Sequence, residues 1–389
     1  MNNKLSIQWF IEQHPDWEKI LSEKPYCLNI SRDEMFGHKL IMFKYNQIDS
    51  DLSIKLVQEC RGLVLDEDTF EPISIPFFKF FNFGEVHAAT IDWNTAQVAT
   101  KIDGSLVKIV NLNDKLLIST NGTIDAFKAP IAEQIGCEFK SFGDIIISIL
   151  NSKAICTNDF EPGWTYMFEL TSPWTRVVIP FKENDLWYLG RRSNVTFQEE
   201  HFSKDPFNEL FKLPKIFPLK SIDDCLAATK EMPWDEEGYV VCDAKFNRVK
   251  VKSPAYLAAH NLKGNGVMSF ARALELVRTN EIDEICAYFE EFRPALEEMK
   301  DKFAKLVADA EDAVAKLDSW KKSNGFDIQP WWIESGGQKR KDLAIWIMKD
   351  YSKFSGILFG IVDKKIESAK SFLMNVPADK LLKVLGYKE

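Results

Sequence analysis

Short apolar runs that alternate with polar residues occupy the first two thirds of the chain. They are rich in β-branched and aromatic residues and are bounded by Gly, Asn, Asp or Pro, a pattern that predicts β-strands. The predicted strands are residues 27–30, 40–43, 97–100, 106–110, 115–120, 164–170, 176–181, 186–192, 236–243 and 247–253, with a further strand after Arg61-Gly62. The polar turn between 106–110 and 115–120 predicts a hairpin.

The apolar spacing is that of helices at both ends of the chain. Residues 4–22 predict two short helices interrupted at Pro15, and residues 127–150 are more helical, before a polar loop at 151–163. Residues 197–235 predict a mixed, mostly helical insertion. The helices predicted after Pro254 are residues 267–279, 281–319 with an interruption at Pro294, 339–354, 362–374 and 378–385.

This change of pattern predicts two domains. Residues 1–262 should form an α+β domain built on antiparallel sheets, and residues 263–389 an all-helical domain. The stretch Lys263-Gly264-Asn265-Gly266 is typical of a linker. With 389 residues, 46% of them hydrophobic, the chain is long enough for each domain to bury its own core.

Composition excludes several classes of protein. No apolar run is long enough to span a membrane, so we expect a soluble, cytoplasmic protein without membrane contact. The seven cysteines are scattered and never spaced as Cys-x-x-Cys, which argues against a disulfide framework or a structural zinc site. The net charge of −9 gives no global basic surface, so a polyanion must be bound by a local basic patch.

The turn at residues 101–105, Lys-Ile-Asp-Gly-Ser, is the first candidate for chemistry. It lies between two apolar runs, so a strand, a tight turn and a second strand are predicted, with Lys101 at the turn and Asp103 two residues later. A lysine becomes a nucleophile only as the free amine, which requires nearby cations, a metal ion or desolvation. The alternative is a surface hairpin with a solvated lysine.

Other charged residues lie inside apolar strands or next to glycine. Arg61 precedes Gly62, which also suits a surface ion pair, and Lys79 lies among five phenylalanines, where it either reaches solvent or meets an anion. The remaining positions of this kind are Glu169, Glu237, Lys250 and Lys252. The last two alternate onto one face of a strand, where a bound phosphate would offset their repulsion.

Together these residues suit a nucleoside triphosphate with a divalent metal ion. Cations neutralise phosphates, carboxylates hold the metal and sugar hydroxyls, and one lysine remains as a nucleophile. The chain contains neither a Walker loop nor a G-x-G-x-x-G sequence, so P-loop and Rossmann chemistry lack their signatures.

The order and spacing of these residues resemble the covalent nucleotidyltransferase superfamily, and within it the phage-type ATP-dependent RNA ligases of the RNA ligase 1 class. The K-x-D-G-S motif of that family matches residues 101–105. The further matches are Arg61 in Cys-Arg-Gly, Lys79 in Lys-Phe-Phe-Asn, Glu169 in Phe-Glu-Leu, Glu237 in Glu-Gly-Tyr-Val, Lys250 and Lys252 in Lys-Val-Lys-Ser, and Tyr256 shortly after. One departure is Asn121, which precedes Gly122 where some relatives carry a basic residue.

The resemblance implies an adenylation domain that uses ATP and Mg²⁺, for which Mn²⁺ can substitute. It implies that Lys101 forms a lysyl-AMP intermediate and that Asp103, Lys250 and Lys252 are also catalytic. Nucleotide contacts are implied for Arg61, Lys79, Lys101, Glu169, Glu237, Lys250, Lys252 and Tyr256, and metal contacts for Glu237 and Glu169.

The resemblance also implies the partners. These are RNA ends that carry a 5′-phosphate and a 3′-OH, with cleaved tRNA as a candidate substrate in RNA repair. The helical domain would contribute to substrate choice. We expect a monomer, located in the host-cell cytoplasm if a phage encodes it.

Two alternatives stay open at this stage. DNA ligases and capping enzymes share K-x-D-G, but they usually follow the K-x-K motif with a β-rich OB domain, whereas this chain turns helical after Pro254. A non-catalytic RNA-binding relative is the other alternative, and the presence of Lys101, Glu169, Glu237, Lys250 and Lys252 argues against it.

Overall fold

The chain divides into two compact units, residues 1–266 and 267–389. A computed structural model describes residues 4–132, 137–203, 206–261, 268–287, 290–325 and 338–387. The linker predicted at residues 263–266, and with it the predicted boundary between domains, lies outside the described residues. Each unit is therefore considered by itself.

The strands in the described part of the chain all belong to the first unit. They are β1 Leu28–Met35, β2 His38–Tyr45, β3 Arg61–Asp66, β4 Pro72–Ser74, β5 Phe81–Asn82, β6 Gln97–Thr100, β7 Ser105–Leu112, β8 Lys115–Thr120, β9 Trp164–Thr171, β10 Asp185–Ser193, β11 Glu199–His201, β12 Ile216–Phe217, β13 Gly238–Cys242 and β14 Arg248–Lys252. They form a first sheet in the order β1-β2-β3-β4, a second in the order β11-β10-β9-β7-β8, and a third in the order β12-β6-β13-β14-β5.

Helices accompany the sheets in the first unit and form the second unit. Those of the first unit are α1 Ser6–Gln13, α2 Trp17–Ser22, α3 Lys55–Glu59, α4 Phe142–Ser152, α5 Ile222–Lys230 and α6 Pro254–Asn261. Those described in the second unit are α7 Phe270–Thr279, α8 Ile282–Cys286, α9 Arg293–Ser323, α10 Gln338–Asp350, α11 Ser355–Val362, α12 Ala369–Asn375 and α13 Ala378–Leu385.

The first sheet packs against the N-terminal helices. Apolar residues of α1, α2 and α3, among them Ile7, Leu21 and Leu56, join buried residues of β2 and β3 in one core. The spacing of apolar residues in 4–22 predicted the two short helices correctly, because their apolar faces meet this sheet.

The second and third sheets meet at the predicted strand–turn–strand. β6 pairs with β13 in the third sheet, while β7 pairs with β8 and β9 in the second. The turn with Lys101 is therefore a crossing between two sheets and not a hairpin. The predicted hairpin of β7 and β8 is confirmed, with Asn113 and Asp114 at positive φ in its turn.

Three predicted segments differ from the structure. Residues 176–181 are not a strand but an irregular loop, and within 127–150 the α-helix begins only at Phe142, where Ser141 caps it. The described part of 197–235 contains β11, β12 and the single α-helix α5.

All the regular elements described in the second unit are helices. Helix α9 buries residues spaced three or four apart along its length, namely Leu296, Met299, Phe303, Leu306, Ala310, Ala313 and Leu317. Of the helix predicted at 362–374, residues 363–368 are not helical; the range contains only the last residue of α11 and most of α12.

The predicted fold class is confirmed: antiparallel-sheet α+β structure is followed by a helical region. Among the strand pairs of the described residues, β14 and β5 run parallel. Among the described helices, none combines the length and the apolar character that crossing a membrane requires.

Gly238 begins β13 at φ +131°, and a Cβ atom there would lie 2.2 Å from the Val251 carbonyl oxygen. We expect Gly238→Ala to lower the free energy of unfolding by more than the roughly 1–3 kcal/mol of backbone strain alone, because the neighbouring strand must also move. Gly163→Ala is the matched control, since Gly163 has φ +81° with nothing within 4 Å. Thermal unfolding measures both, and equal losses would contradict the steric argument.

Candidate active site

A cavity of about 300 Å³ lies where residues of the second and third sheets converge. It is lined by six residues that the sequence pattern singled out at distant positions, namely Arg61, Lys101, Glu169, Glu237, Lys250 and Lys252. The main-chain N–H of Lys101 donates to the Gly238 carbonyl at 2.8 Å, which anchors the turn to β13 beside Glu237. Of the predicted residues, the fold thus gathers four basic side chains and two carboxylates in one place.

Glu237 lies between two of these lysines. Its Oε2 atom accepts a hydrogen bond from Lys101 Nζ at 2.7 Å, and its Oε1 atom is 3.9 Å from Lys252 Nζ. Glu237 is 4% exposed, so its charge is compensated by the two lysines in place of water. The carboxylate therefore keeps the Lys101 amine at the wall of the cavity.

Asp103 supports the turn and does not line this cavity. Its Oδ2 atom accepts from the main-chain N–H groups of Val178 and Ile179 at 2.9 and 2.6 Å, and its Oδ1 atom accepts from the Tyr256 hydroxyl at 2.9 Å. Tyr256 also lies outside the set of lining residues. The resemblance implied catalysis for Asp103 and nucleotide contact for Tyr256. In the structure, the two side chains instead belong to one hydrogen-bond network behind the turn.

Lys79 lines a neighbouring cavity of about 170 Å³, not the main one. Its Nζ atom is 5.4 Å from the Phe81 ring centroid and 5.5 Å from that of Tyr45, so it makes cation–π contacts with both rings. Phe80 lines both cavities, with Arg61 Cζ at 5.3 Å and Lys250 Nζ at 5.0 Å from its ring centroid. The predicted anion contact of Lys79 stays a prediction.

The electrostatics of the cavity favour an anion. Burial, followed by the charges of Lys79, Arg61, Lys252 and Lys101, holds the pKa of Lys250 well below its usual range. A group bearing negative charge would relieve this repulsion and restore the ammonium form. Lys250 and Lys252, which the sequence pattern predicted to face a phosphate, therefore lie in a site that favours a negatively charged ligand.

Glu169 is the second carboxylate of the cavity. Burial raises its pKa from 4.5 to about 7; Glu237 adds to the rise, whereas Lys101 and Arg61 oppose it. Two carboxylates with space for water and phosphate oxygens fit Mg²⁺, which is usually bound through one or two protein carboxylates. No cluster of three or more His, Cys, Asp or Glu side chains suited to a metal occurs in the described part of the chain.

Lys108 is a buried cation that the sequence analysis missed. It is 0% exposed, and its Nζ atom donates to the Gly62 carbonyl, immediately after Arg61. Burial, with a contribution from Arg61, lowers its pKa from 10.5 to about 7. A lysine inside the apolar run 106–110 was the available signal, since such a residue needs a partner.

The cavity also contains polar residues with weaker sequence signals. Asn121, His201 and Arg248 line it. Arg248 could have been found by alternation, because it lies two residues before Lys250 on the same face of β14. For His201, in the short strand β11, the sequence offered no signal.

Residues 59–256 match the family model described as RNA ligase. The chain belongs to this RNA ligase family. The match spans the cavity residues from Arg61 to Lys252, and it confirms the predicted family. An RNA ligase of Rhodothermus phage RM378 is 23% identical over 447 aligned positions, covering 96% of this chain and 97% of the relative.

Two further similar proteins align with a smaller share of this chain. A protein of Autographa californica nuclear polyhedrosis virus, named as a bifunctional polynucleotide kinase/RNA ligase, is 31% identical over 271 residues, which cover 65% of this chain but 38% of the relative. The solved structure of an archaeal ATP-dependent RNA ligase aligns with a TM-score of 0.43 at 13% identity, covering 78% of this chain and 83% of that one.

The raised pKa of Glu169 predicts a pH-dependent stability. Between pH 4.5 and about 7 the folded chain keeps a proton that the unfolded chain releases, so this residue makes stability fall as pH rises through that window. The thermal stability of Glu169→Gln relative to that of wild type should therefore increase as pH rises from 5 to 8. Glu161→Gln, at an exposed carboxylate, is the control. A difference that does not change with pH would contradict the assignment.

Proposed function

We propose that this protein is an ATP-dependent RNA ligase that joins 5′-phosphate and 3′-OH RNA ends. The observation that carries the proposal is the Lys101 amine, held by Glu237 in a cavity that also contains Arg61, Lys250 and Lys252. Its membership of the RNA ligase family supports the choice of RNA as the substrate.

The reaction has three steps. The free amine of Lys101 attacks the α-phosphorus of ATP, an N–P bond forms, and the bond to the leaving pyrophosphate breaks while the amine loses a proton. The AMP group then passes to the RNA 5′-phosphate, which frees Lys101. Finally the 3′-OH of the second end attacks the activated 5′-phosphate, loses its proton and releases AMP.

The cations of the site would stabilise charge at each phosphate. Lys250 and Lys252 would face the α-phosphate, where negative charge accumulates during attack. Arg61 and Lys79 would orient the outgoing β- and γ-phosphates. The lowered pKa of Lys250 supports this role, because the negative charge of a phosphate would offset the charges of the neighbouring basic side chains.

Glu237 and Glu169 would hold the divalent metal, Mg²⁺ or Mn²⁺. When bound, the metal neutralises phosphate charge. Glu237 would then turn from Lys101 to the metal, and Glu169 would hold the ribose or a water molecule on the metal. Asp103 and Tyr256 would keep the Lys101 turn in place through their mutual hydrogen bond.

The second unit would contribute RNA contacts and substrate choice, with cleaved tRNA as the candidate substrate. Residues 1–262 and 263–389 would be the corresponding domains, acting as a monomer in the cytoplasm. In the described residues after Pro254 the regular elements are helices, unlike the β-rich domain expected after K-x-K in DNA ligases and capping enzymes.

Label transfer from [α-³²P]ATP to the protein tests the nucleophile. Lys101→Ala should abolish the label without loss of fold, and Lys101→Arg should fail as well, because a guanidinium stays protonated. Lys128→Ala, at an exposed lysine paired with Asp33, should label like wild type. Residual lysyl-AMP in Lys101→Ala would rule out the assignment of the nucleophile. A wild-type protein that takes up no label would instead indicate RNA binding without catalysis.

Single-turnover adenylation tests the lysine pair. Lys250→Ala or Lys252→Ala should each slow formation of lysyl-AMP by about 10²–10³-fold, the usual cost of losing a group that stabilises transition-state charge. The exposed Lys245 supplies the control variant Lys245→Ala. Near-normal rates in both single variants would contradict the proposed roles.

A further inference from the structure

Three charged side chains without a role in the proposed chemistry form a buried cluster, and one of them, Arg248, also lines the cavity of about 300 Å³. Glu199 in β11 accepts hydrogen bonds from Arg192 in β10 through Oε1 and from Arg248 in β14 through Oε2. The three residues are 4%, 6% and 9% exposed for Arg192, Glu199 and Arg248. Because β14 belongs to the third sheet and the other two strands to the second, the cluster joins the two sheets.

Stability alone gives little reason for such a cluster. Transfer of charges from water into a protein interior costs several kcal/mol per ion, and apolar residues of similar volume often serve stability equally well or better. Burial raises the pKa of Glu199, but the charges of Arg248 and Arg192 outweigh it, so the carboxylate stays ionised between them. What the cluster provides is fixed geometry.

The geometry is imposed on the phenylalanine segment that leads to Lys79. Arg192 Cζ is 4.0 Å from the Phe78 ring centroid, and its Nη1 atom donates to the Pro76 carbonyl at 2.9 Å. Arg248 Cζ is 4.4 Å from the Phe77 ring centroid. Two guanidinium groups, themselves fixed by one carboxylate, therefore hold consecutive rings immediately before Lys79.

The same cluster is connected to the lysine pair. Arg248, Lys250 and Lys252 alternate onto one face of β14. Arg192 and Glu199 also line the smaller cavity, together with Lys79 and Arg248. The cluster thus lies where the Lys79 segment and the lysine strand meet.

We propose that Arg192, Glu199 and Arg248 form a positioning unit that holds Lys79 against the outgoing pyrophosphate during lysyl-AMP formation. The inference rests on the proposed function. It adds to that function three residues that contact neither ATP nor RNA in the proposed mechanism. It has a specific consequence. Only the first step releases pyrophosphate, so loss of the unit should slow that step more than the sealing of RNA that is already adenylated.

Arg192→Met is the sharpest test, because it leaves Glu199 and Arg248 as a neutral buried pair while a flexible apolar side chain remains against Phe78. Lysyl-AMP formation should slow by about 10²-fold, the scale expected for misplacement of about 1 Å. The KM for ATP should rise, whereas inhibition by AMP, which lacks the β- and γ-phosphates, should not change. Sealing of pre-adenylated RNA should keep most of its rate.

The neighbouring Arg191 provides a matched control. It stacks at 4.2 Å on Trp164 and pairs with Glu161 and Glu200, so Arg191→Met removes an equivalent side chain from the same strand without touching the Phe77–Phe78 rings. This variant should retain wild-type rates in both steps. Arg192→Lys keeps the charge but lacks the planar stack, and it should show a smaller loss in the same step.

Each result decides the question. Equal slowing of adenylation and sealing by Arg192→Met, or no slowing, overturns the positioning role, as does a parallel loss of AMP affinity. If Arg192→Met does not fold, Arg192→Lys is judged by the same comparison of steps. If wild-type protein itself forms no lysyl-AMP, the proposed function fails, which is a separate outcome from any result on these variants.

Discussion

Repulsion among the basic side chains that line one cavity is the constraint that the surrounding structure must satisfy. Arg61, Lys101, Lys250 and Lys252 line about 300 Å³, where water can screen them only in part. Glu237 offsets the two nearest lysines, and the ring of Phe80 offers its negative face to Arg61 and Lys250. These contacts compensate part of the positive charge, and the remainder suits a polyphosphate.

Support for this arrangement comes from buried polar groups, not from apolar packing alone. Asp103 joins the Lys101 turn to the 176–181 loop and to α6, while the carboxylate of Glu199 joins two sheets. Buried hydrogen bonds of this kind are directional, so they fix orientation where apolar contacts would allow adjustment. The candidate nucleophile and the candidate phosphate ligands are thereby fixed relative to one another.

Sequence pattern predicted the strands that present charged residues, because alternation and β-branched composition are local properties. Strands β9, β13 and β14 and the six residues of the main cavity followed from it. The loop at 176–181 did not, since its β-branched residues favour a strand but the N–H groups of Val178 and Ile179 are bonded to Asp103, 75 and 76 residues away. Arg192 and Glu199 resemble ordinary surface charges in sequence, and only the pairing of sheets buries them.

The hydrogen bonds of Asp103 bear on how the K-x-D-G pattern should be used as a marker of activity. Its carboxylate satisfies two partly buried main-chain N–H groups and a buried tyrosine hydroxyl, and it would be needed for these contacts whether or not Lys101 reacts. A descendant that had lost its chemistry would be under pressure to retain this aspartate in order to fold, but under none to retain the lysine. Across divergent relatives, the lysine and not the aspartate should therefore distinguish working enzymes from inactive ones.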